Sequence, residues 1–105
     1  MGDIINVGGR KVTPKGIENI AIKYENLADC ACVAKEDLKH GQIPVLFVQY
    51  KDGCDADTEG LMNFLKGELE DYRIPKKIIP VEKIPRTATG KLMRKSLSLM
   101  EYNLS

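Results

Sequence analysis

Ile43-Pro44-Val45-Leu46-Phe47-Val48-Gln49-Tyr50 is the clearest strand signal in the chain. Four consecutive apolar residues, from Val45 to Val48, form its middle. Turn-forming residues bound it: Gly41 before it, and Lys51-Asp52-Gly53-Cys54-Asp55 after it. A short run of this kind, framed by such residues, predicts a strand. Pro44 stands near its start, where a missing backbone donor is tolerated. Upstream, residues 27–34 are also apolar and β-compatible. The intervening residues 35–42 are charged and polar, contain Gly41, and read as a loop. The two strands are expected to pair antiparallel across it.

Ile4, Ile5 and Val7 predict a short strand that ends at Gly8-Gly9, and Lys11-Val12 a second extended piece. Thr13-Pro14 is a helix start, because threonine can cap and proline suits the first helical position. Ile17, Ile20, Ala21 and Tyr24 then follow at helical spacing as one apolar stripe, with Gly16 weakening the helix slightly. A second helix is predicted from Asp57 or Thr58, with Leu61, Phe64, Leu65 and Leu69 buried. It ends within residues 71–75. Ile78-Ile79-Pro80-Val81 reads as a short edge strand because of its proline. Residues 84–91 must be loop, and residues 92–100 can form a final short helix. The class is therefore α+β: a small antiparallel or mixed sheet with two or three packed helices.

The totals bound the function. A chain of 105 residues suits one domain with one modest core. Hydrophobic residues at 43% and charged residues at 30% read as a soluble, folded chain. A net charge of +1 offers no broad basic field for nucleic acid, so any phosphate site must be a local cluster. No apolar run is long enough for a transmembrane segment, and the start lacks the features of a signal peptide. Asn6 stands where a myristoylation motif needs a hydroxyl. The cysteines Cys30, Cys32 and Cys54 are odd in number, which favours reduced thiols and a cytoplasmic location. In a strand, Cys30 and Cys32 share one face and read as small buried hydrophobes. With no Cys-x-x-Cys pair and one histidine, the chain has no zinc-ligand pattern.

Pro85-Arg86-Thr87-Ala88-Thr89-Gly90-Lys91 is the stretch best suited to chemistry. Two hydroxyls, a glycine and a lysine lie together between apolar segments. Such a loop can set an ammonium beside phosphate oxygens, with hydroxyl donors around it. It is not a Walker A loop, since Pro85 and Leu92 stand where that motif needs glycine and Ser or Thr. Composition alone leaves a solvated surface loop as the competing reading. Gly8-Gly9 reads equally as a tight turn between strands. Lys76 and Lys77 read as surface lysines.

The run from Ile84 to Lys95 through Arg86-Thr87-Ala88-Thr89-Gly90-Lys91 resembles the C-terminal signature of acyl-CoA synthetases in the adenylate-forming superfamily. The segment from Asp3 to Pro14, with Ile17-Glu18, resembles the stretch just after that family's interdomain hinge. Gly41-Gln42-Ile43-Pro44 and Tyr72-Arg73-Ile74-Pro75-Lys76-Lys77 fit in the same order. The resemblance spans nearly the whole chain. It implies the mobile C-terminal lid domain of a larger enzyme, beginning at the hinge and lacking the large N-terminal domain. The hinge aspartate of relatives would fall at Gly2. The implied reaction joins a small carboxylic acid to ATP and then to a thiol, with Mg2+ accompanying the nucleotide in the complete enzyme. Lys91 matches the lysine that bridges carboxylate and phosphate oxygens during adenylation, with Thr89 and Gly90 beside it. Gly8 and Gly9 match the edge of the pantetheine tunnel, and Lys76 and Lys77 would meet CoA phosphates at its mouth. His40 stands where relatives often have a tryptophan.

Two alternatives stand beside this reading, the second from another class. One is a relative that loads a carrier protein, although Arg-Thr-Ala-Thr-Gly-Lys is nearer the CoA branch. The other is a stand-alone interaction module without chemistry. The isolated chain is expected to be inactive, because one loop lysine supplies neither a nucleotide pocket nor an acyl pocket.

Overall fold

The computed structural model describes residues 4–93, 96 and 97. Strands β1 (Ile5–Val7) and β2 (Arg10–Val12) lead into helix α1 (Pro14–Ala21). The long strands β3 (Leu27–Asp37) and β4 (Gly41–Tyr50) follow. Helix α2 (Thr58–Glu68), a 3-10 turn (Asp71–Arg73) and strand β5 (Lys77–Pro80) complete the elements. The sheet order is β2-β1-β4-β3, and β5 pairs with β4 in parallel where all other pairings are antiparallel. The mixed α+β architecture is the expected one.

The β3–β4 ribbon is the wall of two cores. Side chains alternate across a strand, so Cys30, Cys32, Leu46 and Val48 face the helices, where they meet Ile17, Leu61 and Leu65. Ala31, Val33, Val45 and Phe47 face the other way and pack with Ile84 and Leu97. This explains why residues 45–48 are continuously apolar: both faces are covered. Cys30 and Cys32 are buried on one face, as the spacing predicts. Burial, with the carboxylate of Glu18 nearby, pushes the Cys30 thiol up to about 12.

Several boundaries differ from the expectations. Residues 35–42 are not a loop: β3 runs on to Asp37, β4 starts at Gly41, and only residues 38–40 turn. The pairs Lys35↔Ile43, Glu36↔Gln42 and Asp37↔Gly41 extend the ladder. Helix α1 stops at Ala21, yet Tyr24 still packs on the helix-side core. Thr13 sits at the N-cap position with extended dihedrals, but its side chain makes no capping hydrogen bond. At α2 the cap is real: Asp57 accepts from the Gly60 N–H at 2.9 Å and from the Tyr24 hydroxyl at 2.7 Å. A Cβ at Gly16 would meet the Thr13 hydroxyl at 2.8 Å and the Arg73 guanidinium at 3.0 Å, both ends of side chains that can move aside. The helix expected over 92–100 does not begin at Leu92, which instead bridges to Arg86. Ser96 and Leu97 are helical, and the rest of that expectation lies outside the described residues.

Candidate functional site

The loop predicted at residues 84–91 folds into a small hairpin closed by the Arg86↔Leu92 bridge. The Thr87 N–H donates to the Lys91 carbonyl at 2.8 Å, and the Gly90 N–H to the Thr87 carbonyl at 2.9 Å. Gly90 has φ +88°, the left-handed residue that a three-residue hairpin loop requires at its third position. The Thr87 hydroxyl accepts from the Lys91 N–H at 3.1 Å and lies 3.0 Å from the Thr89 hydroxyl. Thr87, Thr89, Gly90 and Lys91 are all exposed. The hydroxyls therefore order the turn and leave the lysine side chain outside it.

Arg86 ties this hairpin to the sheet. Its Nε and Nη2 donate to the two carboxylate oxygens of Asp29, each at 2.7 Å, and its Nη1 donates to the Gly90 carbonyl at 3.0 Å. The guanidinium holds the Asp29 carboxyl below its ordinary value. A cleft of about 320 Å³ lies alongside, lined by residues that include Lys15, Glu18, Asp29 and Arg86. The sequence reading missed the Asp29–Arg86 pair. The available signal was an acid within the apolar stretch 27–34, which calls for a cation as partner.

Gly8 and Gly9 form the two-residue turn of the β1–β2 hairpin, with φ +57° and +90°, so both need the left-handed freedom of glycine. The Gly8 N–H donates to the His40 carbonyl at 2.8 Å. The Gly9 N–H donates to Asn6 Oδ1 at 3.1 Å, and the Asn6 N–H to Gln42 Oε1 at 2.8 Å. His40 is held in turn by Asp37, whose Oδ2 lies 2.8 Å from both the His40 N–H and Nδ1. That hydrogen bond from the imidazole lowers the Asp37 carboxyl below its ordinary value. A Cβ on Gly9 would meet nothing within 4 Å, so the turn borders open space.

Lys76 and Lys77 lie farther along β4. The Lys76 N–H donates to the Pro44 carbonyl at 2.9 Å, and Lys77 pairs with Val45. With Lys66 of α2 they line a cleft of about 390 Å³ that also takes in Asn63 and Glu59. The sequence reading did not include Lys66. The predicted residues thus fall into three places. Gly8 and Gly9 lie where β4 begins, and Lys76 and Lys77 lie beside Pro44 and Val45, opposite the middle of β3. Thr89, Gly90 and Lys91 are anchored through Arg86 to Asp29, near where β3 begins. Asp29 and Asp37 are eight residues apart on β3, about 26 Å at roughly 3.3 Å per residue, so the glycine turn and the lysine hairpin occupy opposite ends of one strand. Among the described residues no group of three His, Cys, Asp or Glu could hold a metal ion. No helix among them is long and apolar enough to cross a membrane.

Similar proteins share this fold. The chain is 40% identical over 95 residues to a 2-succinylbenzoate–CoA ligase of Lactococcus lactis, covering 90% of this chain and 20% of that one. It superimposes on the o-succinylbenzoate CoA synthetase of Bacillus subtilis, solved with its acyl-adenylate intermediate, with a TM-score of 0.85 at 26% identity. That match covers 94% of this chain and 20% of the other. A fatty acyl CoA synthetase of Mycobacterium tuberculosis gives a TM-score of 0.84 at 30% identity, over 91% and 19%. The chain therefore spans about a fifth of the length of these relatives. With residues 16–91 matched, from within α1 through Lys91, the chain belongs to the AMP-binding enzyme C-terminal domain family.

Proposed function

We propose that this chain is the C-terminal domain of an AMP-forming acid–CoA ligase, whose large N-terminal domain holds the nucleotide and acyl pockets. The complete enzyme converts a carboxylic acid, ATP and CoA to acyl-CoA, AMP and pyrophosphate. What supports this reading is that the glycine turn and the lysine hairpin lie at opposite ends of β3, one suited to each half of such a reaction. The names of the similar proteins support CoA, rather than a carrier protein, as the thiol source.

In the first half, a carboxylate oxygen attacks the α-phosphorus, the bond to pyrophosphate breaks, and an acyl-adenylate forms. Two anions must approach, and charge builds on the phosphoryl oxygens, so a fixed cation lowers the barrier. Lys91, exposed at the tip of an ordered hairpin, supplies that cation. In the second half the domain turns its other end to the adenylate. The thiol sulfur attacks the acyl carbon, losing its proton, and AMP leaves. Gly8 and Gly9 let the thin pantetheine arm pass close to backbone, while Lys76 and Lys77 meet phosphate oxygens at the mouth. Mg2+ would offset nucleotide charge in the complete enzyme. Among the described residues no donor set fits it.

The test assays the two halves separately in the complete ligase, with 2-succinylbenzoate as the first acid tried because a similar ligase is named for it. Lys91→Ala should slow pyrophosphate release by about 10²–10³, the usual cost of one lost electrostatic stabiliser. It should still convert preformed acyl-adenylate and CoA to thioester at near wild-type rate. Gly9→Val should do the reverse. Unchanged pyrophosphate release in Lys91→Ala would refute the lysine's role.

A further inference from the structure

The geometry points to Arg86 and Asp29 as the pair that positions the Lys91 hairpin for adenylation, an inference that rests on the adenylation role of Lys91. Neither residue contacts the reacting atoms. Their action is on the orientation of the turn.

Three hydrogen bonds from one guanidinium carry the argument. Nε and Nη2 take both oxygens of Asp29 at 2.7 Å, a planar two-point contact that fixes direction as well as distance. The third bond, from Nη1 to the Gly90 carbonyl at 3.0 Å, reaches the residue immediately before Lys91. Asp29 is itself held, because its Oδ1 also accepts the Cys30 N–H at 2.9 Å. Cys30 is buried in the helix-side core, so the chain of contacts runs from a packed strand to the peptide that leads into the lysine. Ile84, whose N–H donates to Gln49 Oε1 at 2.9 Å, and Leu97 anchor the flanks, but residues 86–91 between them are exposed, and of these Arg86 reaches the sheet. Without the fork, the flanks and the hydrogen bonds inside the turn would keep the hairpin's shape, but its tip could tilt against the sheet. A lysine at position 86 keeps the charge but has one nitrogen, which cannot span both Asp29 oxygens and the Gly90 carbonyl.

The experiment compares Arg86→Gln, Arg86→Lys, Asp29→Asn and the Asp29→Asn/Arg86→Gln double variant in the complete ligase, with Lys91→Ala alongside. ATP–pyrophosphate exchange should lose about tenfold or more in kcat in each Arg86 or Asp29 variant, as expected for a misplaced cation. KM for ATP should stay within about twofold, the signature of an interaction made in the transition state. The double variant should fall no further than the worse single one, and thioester formation from preformed acyl-adenylate should hold. Equal losses in both half-reactions, or full activity in Arg86→Lys, would overturn the positioning role. So would exchange that stays normal in Arg86→Gln while Lys91→Ala abolishes it; in that case the Lys91 reading stands. Normal exchange in Lys91→Ala would overturn both.

Discussion

Asp29 shows how much one side chain in this chain must do. It accepts two bonds from Arg86 and one from its neighbour's amide, and these hold its carboxyl below its ordinary value of 3.8 against the opposing effect of partial burial. A depressed folded-state pKa adds stability that is complete above the unfolded value and is lost as pH falls through the folded one. Acid should therefore release the Arg86 clamp only below the ordinary carboxylate range. Asp37 and Asp57 are lowered too, by His40 and by Tyr24, so a bulk acid titration would mix three groups. The discriminating measurement is a carboxyl-carbon NMR titration of Asp29 itself. In Arg86→Gln its midpoint should rise toward 3.8, while those of Asp37 and Asp57 should not move. An unmoved Asp29 midpoint would mean that the guanidinium is not what stabilises its charge. The pair also marks the limit of sequence reading at this scale. Asp29 and Arg86 lie 57 positions apart, and no local spacing announces that they meet.

Among the elements, the β3–β4 hairpin and the Lys91 hairpin should behave as opposites. The amides of Val45 to Val48 lie in a strand with neighbours on both sides and buried side chains on both faces. Their exchange should need global opening, whereas the exposed amides of Thr87, Gly90 and Lys91 can exchange through local opening of one turn. Hydrogen exchange should be slow over 45–48 and fast over 87–91. Equal protection in the two segments would contradict a hairpin held mainly by its base. The strand over 43–50 was legible because its run is apolar and bounded by turns. Its extension was not, because Lys35, Glu36, Asp37 and Gln42 pair at the end of the ribbon, where polar side chains, half-buried or exposed, imitate a loop. The parallel pairing of β5 was hidden as well. Pro80 announces an edge strand but carries no information on direction. The glycine turn and the lysine loop were both found from their residues, but their placement at opposite ends of β3 follows only from the fold.

For the molecule as a whole, the shared wall sets the cooperativity. Its radius of gyration, 13.0 Å, is about what a single compact domain of roughly 100 residues has. Yet it contains two cores, one under the helices and one under the segment that carries Lys91. In two separate domains these would melt apart. Here β3 and β4 line both, so losing either core uncovers apolar residues on the ribbon that the other core needs in place. Ile84 precedes the Lys91 hairpin and Leu97 follows it, and both are buried against Phe47's side of the ribbon. The Lys91 hairpin is thus stitched at each flank to the wall that also holds α1 and α2. Phe47→Ala should cost about 3–5 kcal/mol and Leu65→Ala about 2–5 kcal/mol, since both side chains are fully buried. Although they sit on opposite faces, each should lower one common transition. Urea unfolding followed by methyl NMR tests this, with Ile17 and Leu65 reporting one face, and Ile84 and Leu97 the other. Coincident midpoints are expected in the wild type, and in Phe47→Ala all four signals should shift together. If Phe47→Ala instead released Ile84 and Leu97 at lower urea while Ile17 and Leu65 held, the two cores would be independent. The Lys91 hairpin could then detach without unfolding the helical face.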